Sequence, residues 1–189
     1  VNIAKHGSVD KNPRPKWSDG SDAHSIFING VFESYDIANG ETPITETRPI
    51  YFKKAINEIR WIYQYQNSAL EIKWWRDWEV EETNSIGLRY GATVSKYDMM
   101  NKLLNGLKDN PYSRRHLLNL YQYADFEETD GLYPCFFQCM FSVSHRGDSD
   151  DMYLDMTLTS RGNEYLVAGF VNSIQYLALL MLVAKHVNM

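Results

Sequence analysis

The chain has no excess of basic residues. Its 19 lysines and arginines are outnumbered by 24 aspartates and glutamates, which gives a formal net charge of -5. A protein that binds the phosphate backbone of a nucleic acid normally carries a basic patch or stripe. The charge balance therefore argues against a DNA- or RNA-binding surface, and no nucleic-acid partner is expected.

Cysteine is scarce too, with two residues, Cys135 and Cys139, in 189. Both lie in a segment that has the character of a strand. Four residues span about 13 Å along a strand, at roughly 3.3 Å per residue. A disulfide needs Cα atoms within about 7 Å of each other, so no bridge between these two is expected. Reduced thiols predict a cytoplasmic protein.

Long apolar runs are also missing. No run extends without interruption over the ~18 residues of a membrane-spanning helix, and the first residues lack the charged-then-apolar order of a secretory signal. No membrane partner is expected. The chain has no internal repeat, linker or low-complexity segment, and its hydrophobic content of 44% is enough for one well-buried core. We therefore predict one domain over residues 1–189.

Hydrophobic periodicity and turn residues predict a mixture of helices and strands. Apolar residues at helical spacing predict helices over 51–65 and 171–187, and a third over 98–107 that ends near Gly106 and the Asn110-Pro111 pair. The predicted strands are two short ones within 22–34 around Asn29-Gly30, then 117–123, 135–143 and 152–159, with residues 146–149 as a hairpin loop.

The most informative local pattern is Tyr133-Pro134-Cys135, because arginines surround it in the sequence. Arg114 and Arg115 precede it and Arg161 follows it. Nearby cations lower the pKa of a thiol, and guanidinium groups bind phosphate through two parallel hydrogen bonds, so the group suits thiolate chemistry on an anionic substrate. Spacing alone leaves a second interpretation open, in which Cys135 is a buried strand cysteine and the arginine pair ends a helix.

Several motifs occur in a fixed order along the chain. They are Arg14-Pro15-Lys16-Trp17-Ser18-Asp19-Gly20-Ser21; residues 43–48 with 55–61; Trp74-Trp75-Arg76-Asp77-Trp78; Ile86-Gly87-Leu88-Arg89-Tyr90-Gly91; Pro111-Tyr112-Ser113-Arg114-Arg115-His116; Tyr133-Pro134-Cys135; Ser160-Arg161-Gly162-Asn163-Glu164; and residues 170–176. Together they resemble the ordered core of the thymidylate synthase family. Each motif is weak alone, but their common order is specific.

The resemblance implies a fold and a reaction. The fold is α+β: a single domain whose mixed β-sheet is covered by helices on one face, with two copies packed sheet to sheet as a homodimer. The reaction is the reductive methylation of dUMP to dTMP, with methylenetetrahydrofolate, a reduced folate, as co-substrate and without a metal.

The resemblance also implies catalytic roles. Cys135 would add to carbon 6 of the uracil ring, and Arg161 would lower the pKa of its thiol. Glu58 would move protons, which requires a carboxyl shielded from bulk water; without the resemblance, a glutamate beside an apolar helix face is more often half-exposed than catalytic. Asn172 would hydrogen-bond the uracil edge with one donor and one acceptor.

Binding roles follow from the same resemblance. The phosphate would be held by Arg161 and Arg14, together with the partner subunit's Arg114 and the partner subunit's Arg115, and Tyr90 would contact the nucleotide. The folate would be bound by Trp75, Trp78 and Glu164. For the two tryptophans, plain core packing remains an equal alternative.

The sequence departs from the family pattern at three positions. Gly162 replaces a serine, Glu164 an aspartate, and Phe136 a histidine common beside the nucleophile. The family's C-terminal part, after Met189, and two loops, one between Ile72 and Lys73 and one between Gly91 and Asp98, are also expected to be absent from this sequence. Two alternatives stay open: a pyrimidine nucleotide hydroxymethylase of the same fold, and an inactive nucleotide-binding homologue.

Overall fold

The computed structural model describes residues 3–67 and 72–189. These residues form two compact units, with the boundary between Thr42 and Pro43, and each unit is described by itself. The expectation of a single domain over the whole chain stays a prediction.

In the first unit, a short helix α1 (Ile3–His6) precedes strand β1 (Ser8–Val9), which pairs antiparallel with β2 (Ile26–Phe27). A 3₁₀ turn follows at Ile37–Asn39. The prediction of two strands around Asn29-Gly30 is wrong in its pairing, because β2 pairs with β1 and Val31 and Phe32 form no strand. Phe32 is 84% exposed. The side chains of Val31 and Phe32 therefore do not form the buried face of a strand.

The second unit contains most of the regular structure. Its elements are α2 (Phe52–Ile59), a π-helix (Arg60–Gln64), a 3₁₀ helix (Lys73–Trp78), α3 (Gly91–Lys96), α4 (Met99–Asp109), β3 (Leu117–Asn119), α5 (Tyr123–Glu128), β4 (Phe136–His145), β5 (Met152–Ser160) and α6 (Ala168–Val187). The predicted helices at 51–65, 98–107 and 171–187 are confirmed, although the first one changes to π-helical geometry at Arg60 and Gly106 lies inside α4.

The sheet of this unit has the order β3-β4-β5, and both strand pairs are antiparallel. The strands predicted at 135–143 and 152–159 and the hairpin loop between them are confirmed. The predicted strand 117–123 is too long: β3 ends at Asn119, and Tyr123 begins α5. The prediction of a mixed sheet is also wrong for the strands that the structure describes, since none of them pairs in parallel.

Helix α6 lies against α2, α4 and β5 and contributes Ile174, Leu179 and Val183 to the core. Polar residues interrupt its sequence, yet its mean hydropathy is 1.4, and by length and composition alone it could span a membrane. Its contacts identify it as the core helix of the unit. Its first turns carry the candidate site residue Asn172, and helix α2 carries Glu58.

Candidate active site

Cys135 lies at the entrance to strand β4. Pro134 before it is fully buried, and the pairing of β4 with β5 is irregular between Phe136 and Gln138, where the strand begins. The structure leaves both cysteines free, as predicted, but their environments differ. Cys135 is half-buried, whereas Cys139 is enclosed in the core, and burial raises the pKa of the Cys139 thiol well above its ordinary value. Cys135 is therefore the thiol that a ligand can reach.

Arg161 follows the end of β5 and lies directly against the Cys135 segment. Its Nε donates to the carbonyl of Pro134 at 2.9 Å, and its Nη2 donates to the carbonyl of Tyr133 at 2.8 Å. The same Nη2 is 3.7 Å from the Cys135 sulfur. The guanidinium is thus fixed by two backbone carbonyls, and it presents positive charge to the thiol.

Glu58 lies on the buried face of α2, with Ala55 and Ile59 at helical spacing. Its carboxylate accepts hydrogen bonds from Trp75 Nε1 at 2.9 Å and from Gln175 Nε2 at 2.8 Å. Burial raises the pKa of Glu58 from 4.5 to about 7, and these hydrogen bonds only partly oppose that effect. At neutral pH the carboxyl is therefore close to half-protonated, which suits a group that both gives and takes protons.

Tyr90 lies near both Cys135 and Glu58. Its backbone φ is +46°, in a region that a tyrosine rarely adopts, and this conformation turns the chain immediately before α3. The buried hydroxyl lies close to the backbone of Cys135, and its electrostatic neighbours include Glu58 and Arg161. Burial raises the pKa of Tyr90 above its ordinary value, so the hydroxyl is neutral and can act as a hydrogen-bond donor.

The two tryptophans expected to bind folate occupy different environments. Trp75 is 7% exposed, and its ring contacts those of Trp61, Trp78 and Tyr90, with the Tyr90 centroid at 4.8 Å. Trp78 is 41% exposed. Trp75 is therefore a core side chain that also donates to Glu58, whereas Trp78 offers an accessible ring face.

Asn172 lies in the first turns of α6 and is half-buried. It precedes Gln175 by three residues, so the two side chains lie on one side of the helix. The sequence analysis did not identify Gln175. Its spacing of three residues from Asn172 could have indicated that it lies on the same side of the helix as that candidate.

Within the described part of the second unit, three expected binding residues, Arg114, Arg115 and Glu164, make no hydrogen bond with Cys135. Arg114 and Arg115 are exposed in the turn between α4 and β3, and Arg14 is exposed in the first unit. The Glu164 carboxylate accepts hydrogen bonds from the backbone N–H groups of residues 166–168 at 2.5–3.2 Å. In this structure it therefore caps the N-terminus of α6.

The geometry thus places a thiol, a guanidinium, a tyrosine and a buried carboxyl in one region of the second unit. A family model described as "Thymidylate synthase" matches residues 1–189. The chain belongs to the thymidylate synthase family.

Individual relatives agree with this family. The chain is 48% identical to a thymidylate synthase of Streptococcus pyogenes serotype M5 (strain Manfredo) and 49% identical to one of Streptococcus pneumoniae (strain ATCC 700669 / Spain 23F-1). Both matches cover 97% of this chain and 68% of the relative. Among solved structures, the thermostable thymidylate synthase A from Bacillus subtilis is similar with a TM-score of 0.83 and 26% identity, over 98% of this chain and 70% of that one. The mixed helix-and-sheet architecture is therefore that of a thymidylate synthase.

Within residues 3–67 and 72–189, no cluster of three or more His, Cys, Asp or Glu side chains has an arrangement that could hold a metal ion.

Proposed function

We propose that Cys135, Arg161, Glu58 and Asn172 carry out the thymidylate synthase reaction in this chain. That reaction is the reductive methylation of dUMP to dTMP, and methylenetetrahydrofolate supplies both the one-carbon unit and the hydride. The observation that carries the proposal is the position of the Cys135 sulfur, 3.7 Å from a guanidinium nitrogen that backbone carbonyls hold in place.

Cys135 is the nucleophile. Its thiolate adds to carbon 6 of the uracil ring, which makes carbon 5 electron-rich enough to attack the one-carbon unit. The Arg161 guanidinium balances the negative charge of the attacking sulfur. Because Arg161 is fixed by the carbonyls of Tyr133 and Pro134, this charge is already in place before the substrate arrives.

Glu58 moves the protons that the reaction exchanges with the ring. A pKa of about 7 makes proton donation and acceptance equally available at neutral pH. Trp75 and Gln175 fix the orientation of the carboxylate, and the Tyr90 hydroxyl has both this carboxylate and Cys135 among its electrostatic neighbours.

Asn172 reads the base. A side-chain amide offers one donor group and one acceptor, which match the carbonyl and ring N–H of uracil.

Tyr90 contacts the bound nucleotide from the side of Cys135. The nucleotide phosphate is held by Arg161 and Arg14, with the partner subunit's Arg114 and the partner subunit's Arg115.

The implied protein is a cytoplasmic homodimer whose subunits pack sheet to sheet. In support, Leu117 on β3 and Met140 on β4 are directly opposite each other in the register, and they are 45% and 39% exposed. Met152, where β5 begins, is also 36% exposed. A partner subunit would bury such an apolar set.

The folate is held by aromatic faces. Trp78 has the accessible ring, and Trp75 supports it from the core at a centroid distance of 5.7 Å. Glu164 is the third candidate, but its carboxylate already serves the N-terminus of α6. The residues therefore fit a flat pterin ring at Trp78 better than they fit a new hydrogen bond at Glu164.

Release of tritium from carbon 5 of labelled dUMP, with and without methylenetetrahydrofolate, tests the function. A synthase and a hydroxymethylase both release tritium when the folate is present, and the mass of the product separates a methyl from a hydroxymethyl group. An inactive nucleotide-binding homologue releases none.

The assignment of the nucleophile is tested with two cysteine variants. Cys135→Ser should abolish tritium release and leave dUMP binding nearly intact, since the hydroxyl fits the same space but is a far weaker nucleophile. Cys139→Ala removes the buried thiol and is the matched control, expected to keep tritium release. Activity of Cys135→Ser within a few-fold of the parent protein would exclude the proposed mechanism.

A further inference from the structure

Arg89 is a fully buried cation that has no place in the reaction described above. Its side chain is 0% exposed, and its Nη1 donates to the carbonyls of Leu88 at 3.0 Å and Asp125 at 2.8 Å. Its Nη2 donates to the carbonyl of Thr129 at 2.7 Å, while its buried Nε has no hydrogen-bond partner among the residues that the structure describes. Taking a guanidinium out of water is costly, so its retention calls for a specific role.

Two aromatic rings complete the surroundings of the guanidinium. The Arg89 Cζ lies 4.5 Å from the ring centroid of Phe126 and 5.4 Å from that of Tyr133. These two rings stack on each other, with centroids 4.3 Å apart and an interplanar angle of 15°. The charge of Arg89 is therefore stabilised by carbonyl groups and by aromatic faces.

Arg89 thereby joins the C-terminal end of α5 to the segment that leads into Cys135. The carbonyls of Asp125 and Thr129 lie at that end of the helix, where a cation is favourable. Tyr133 precedes Cys135 by two residues. The contacts of Arg89 therefore fix both ends of the connection that delivers the nucleophile.

The same segment is held from two other directions. Arg161 donates to the carbonyl of Tyr133, and the hydroxyl of Tyr90, next to Arg89 in the chain, lies close to the backbone of Cys135. The backbones pack closely as well, since a Cβ on Gly131 would lie 2.7 Å from the carbonyl oxygen of Ile86. A shift of Tyr133 would therefore move Cys135 relative to Arg161.

We propose that Arg89 is a positioning residue for the nucleophile: by holding the Tyr133 ring and the end of α5, it sets the Cys135 sulfur beside the Arg161 guanidinium. This inference rests on the proposed role of Cys135. Arg89 itself contacts neither Cys135 nor Glu58 in the structure.

The test compares variants that remove different parts of the arrangement. Arg89→Met keeps the length of the side chain but removes its charge and hydrogen bonds, and Arg89→Lys keeps the charge without the planar fork. Tyr133→Leu removes the ring, and Tyr133→Phe keeps it. Lys96→Met is the matched control, because it breaks the ion pairs with Asp125 and Glu128 and so weakens α5 without touching Tyr133.

Three quantities are measured for each folded variant: stability in urea, kcat and KM for dUMP, and the rate at which iodoacetamide alkylates Cys135 in the free protein. For Arg89→Met and Tyr133→Leu we expect kcat and the alkylation rate to fall roughly tenfold or more, with KM changed by less than about threefold, since a displacement near 1 Å can cost that much. Arg89→Lys should lose less kcat and alkylation rate than Arg89→Met, and Tyr133→Phe should lose less than Tyr133→Leu. Lys96→Met should lose stability but keep kcat and the alkylation rate within about twofold.

Unchanged or faster alkylation in a folded Arg89→Met protein, or a loss of kcat in Lys96→Met equal to that in Arg89→Met, would overturn the proposal. If Arg89→Met does not fold, Tyr133→Leu, which leaves Arg89 in place, decides by the same criteria. Alkylation requires no turnover of dUMP. A failure of the proposed reaction, seen as full activity of Cys135→Ser, is therefore distinguishable from a failure of the role of Arg89.

Discussion

At Glu58, burial raises the pKa of the carboxyl by more than its hydrogen bonds lower it. Two donors lie within 2.9 Å of its carboxylate, and yet its pKa is raised to about 7. In the unfolded chain the pKa is near 4.5, so between these two values the folded state binds more protons than the unfolded state. The stability that this carboxyl contributes is fully present below about pH 4.5 and is lost as the pH rises to about 7.

Glu58→Gln should remove this pH dependence. The difference in the free energy of unfolding between parent and variant should change by about 3 kcal/mol from pH 4.5 to pH 7.5, in the direction that favours the variant at high pH. Urea unfolding at several pH values measures it. Glu79→Gln, at an exposed position, is the matched control for removing one carboxylate. If the difference in unfolding free energy between the parent and Glu58→Gln stays constant with pH, Glu58 is not held in its neutral form.

Asn172 is the residue expected to choose the base. Asn172→Asp should lose turnover of dUMP and gain some action on dCMP, because a carboxylate accepts a hydrogen bond from the amino group of cytosine. The ratio of kcat/KM for the two nucleotides measures this change. Asn188→Asp, just beyond the end of the same helix, is the control. An unchanged ratio in Asn172→Asp would mean that this residue does not read the base.

Sequence reasoning identified the residues whose chemistry is visible in a motif, and it missed those that act through tertiary contacts. Cys135 and Arg161 were singled out together, and the structure places them 3.7 Å apart. Gln175 and Arg89 were not singled out, because a polar residue in an apolar helix or beside a Tyr-Gly pair has no distinctive pattern of its own. Their partners, Glu58 and Tyr133, lie 117 and 44 positions away, and only the fold brings them together.

At the scale of elements, one side chain caps the start of α6. Glu164 accepts hydrogen bonds from the backbone N–H groups of Val167 and Ala168, and its negative charge lies at the positive end of the helix dipole. The cap comes from a residue four positions before the helix. That first turn leads directly to Asn172.

Glu164→Ala should lower the free energy of unfolding by about 1 kcal/mol, as expected for a lost N-terminal cap. Glu164→Gln keeps an acceptor oxygen and should lose less. If Glu164 also binds folate, both variants should raise KM for the folate while KM for dUMP stays unchanged. Equal stability of Glu164→Ala and the parent in urea unfolding would contradict the capping role.

Long periodic elements were predictable, and short or irregular ones were not. Helices α2 and α4 and strands β4 and β5 each carry a clear apolar period, and α6 is predictable as a long, almost continuous apolar run. Helix α5 has six residues, too few for a period to emerge, and its first residue, Tyr123, ends the apolar and aromatic run that predicted a strand. The π-helix after α2 buries Trp61, Ile62 and Tyr63 in succession, a pattern that no single helical period predicts.

At the scale of the whole molecule, the proposed homodimer combines in each site Cys135 of one subunit with the partner subunit's Arg114 and the partner subunit's Arg115. Arg115→Ala and Cys135→Ala homodimers, each first shown to be inactive, should regain activity when their subunits exchange. Each hybrid would then have one site with both defects and one with neither. At full random exchange, about a quarter of the parent activity should return, as two-fold symmetry requires.

Exchange itself is verified by mass on differently labelled subunits. Cys135→Ala mixed with Glu58→Gln, two defects expected in the same subunit's site, is the control and should not recover more than either parent. Verified exchange without recovery in the first mixture would show that Arg115 and Cys135 act within one subunit.

The contrast between the two cysteines has a practical consequence. One thiol is within reach of solvent at the entrance to β4, and the other is sealed in the core with a raised pKa. A thiol-directed fluorine or spin label would therefore attach to the native protein at a single position without any cysteine having to be engineered away. The natural sequence thus provides a spectroscopic reporter at the place where the nucleotide is expected to bind.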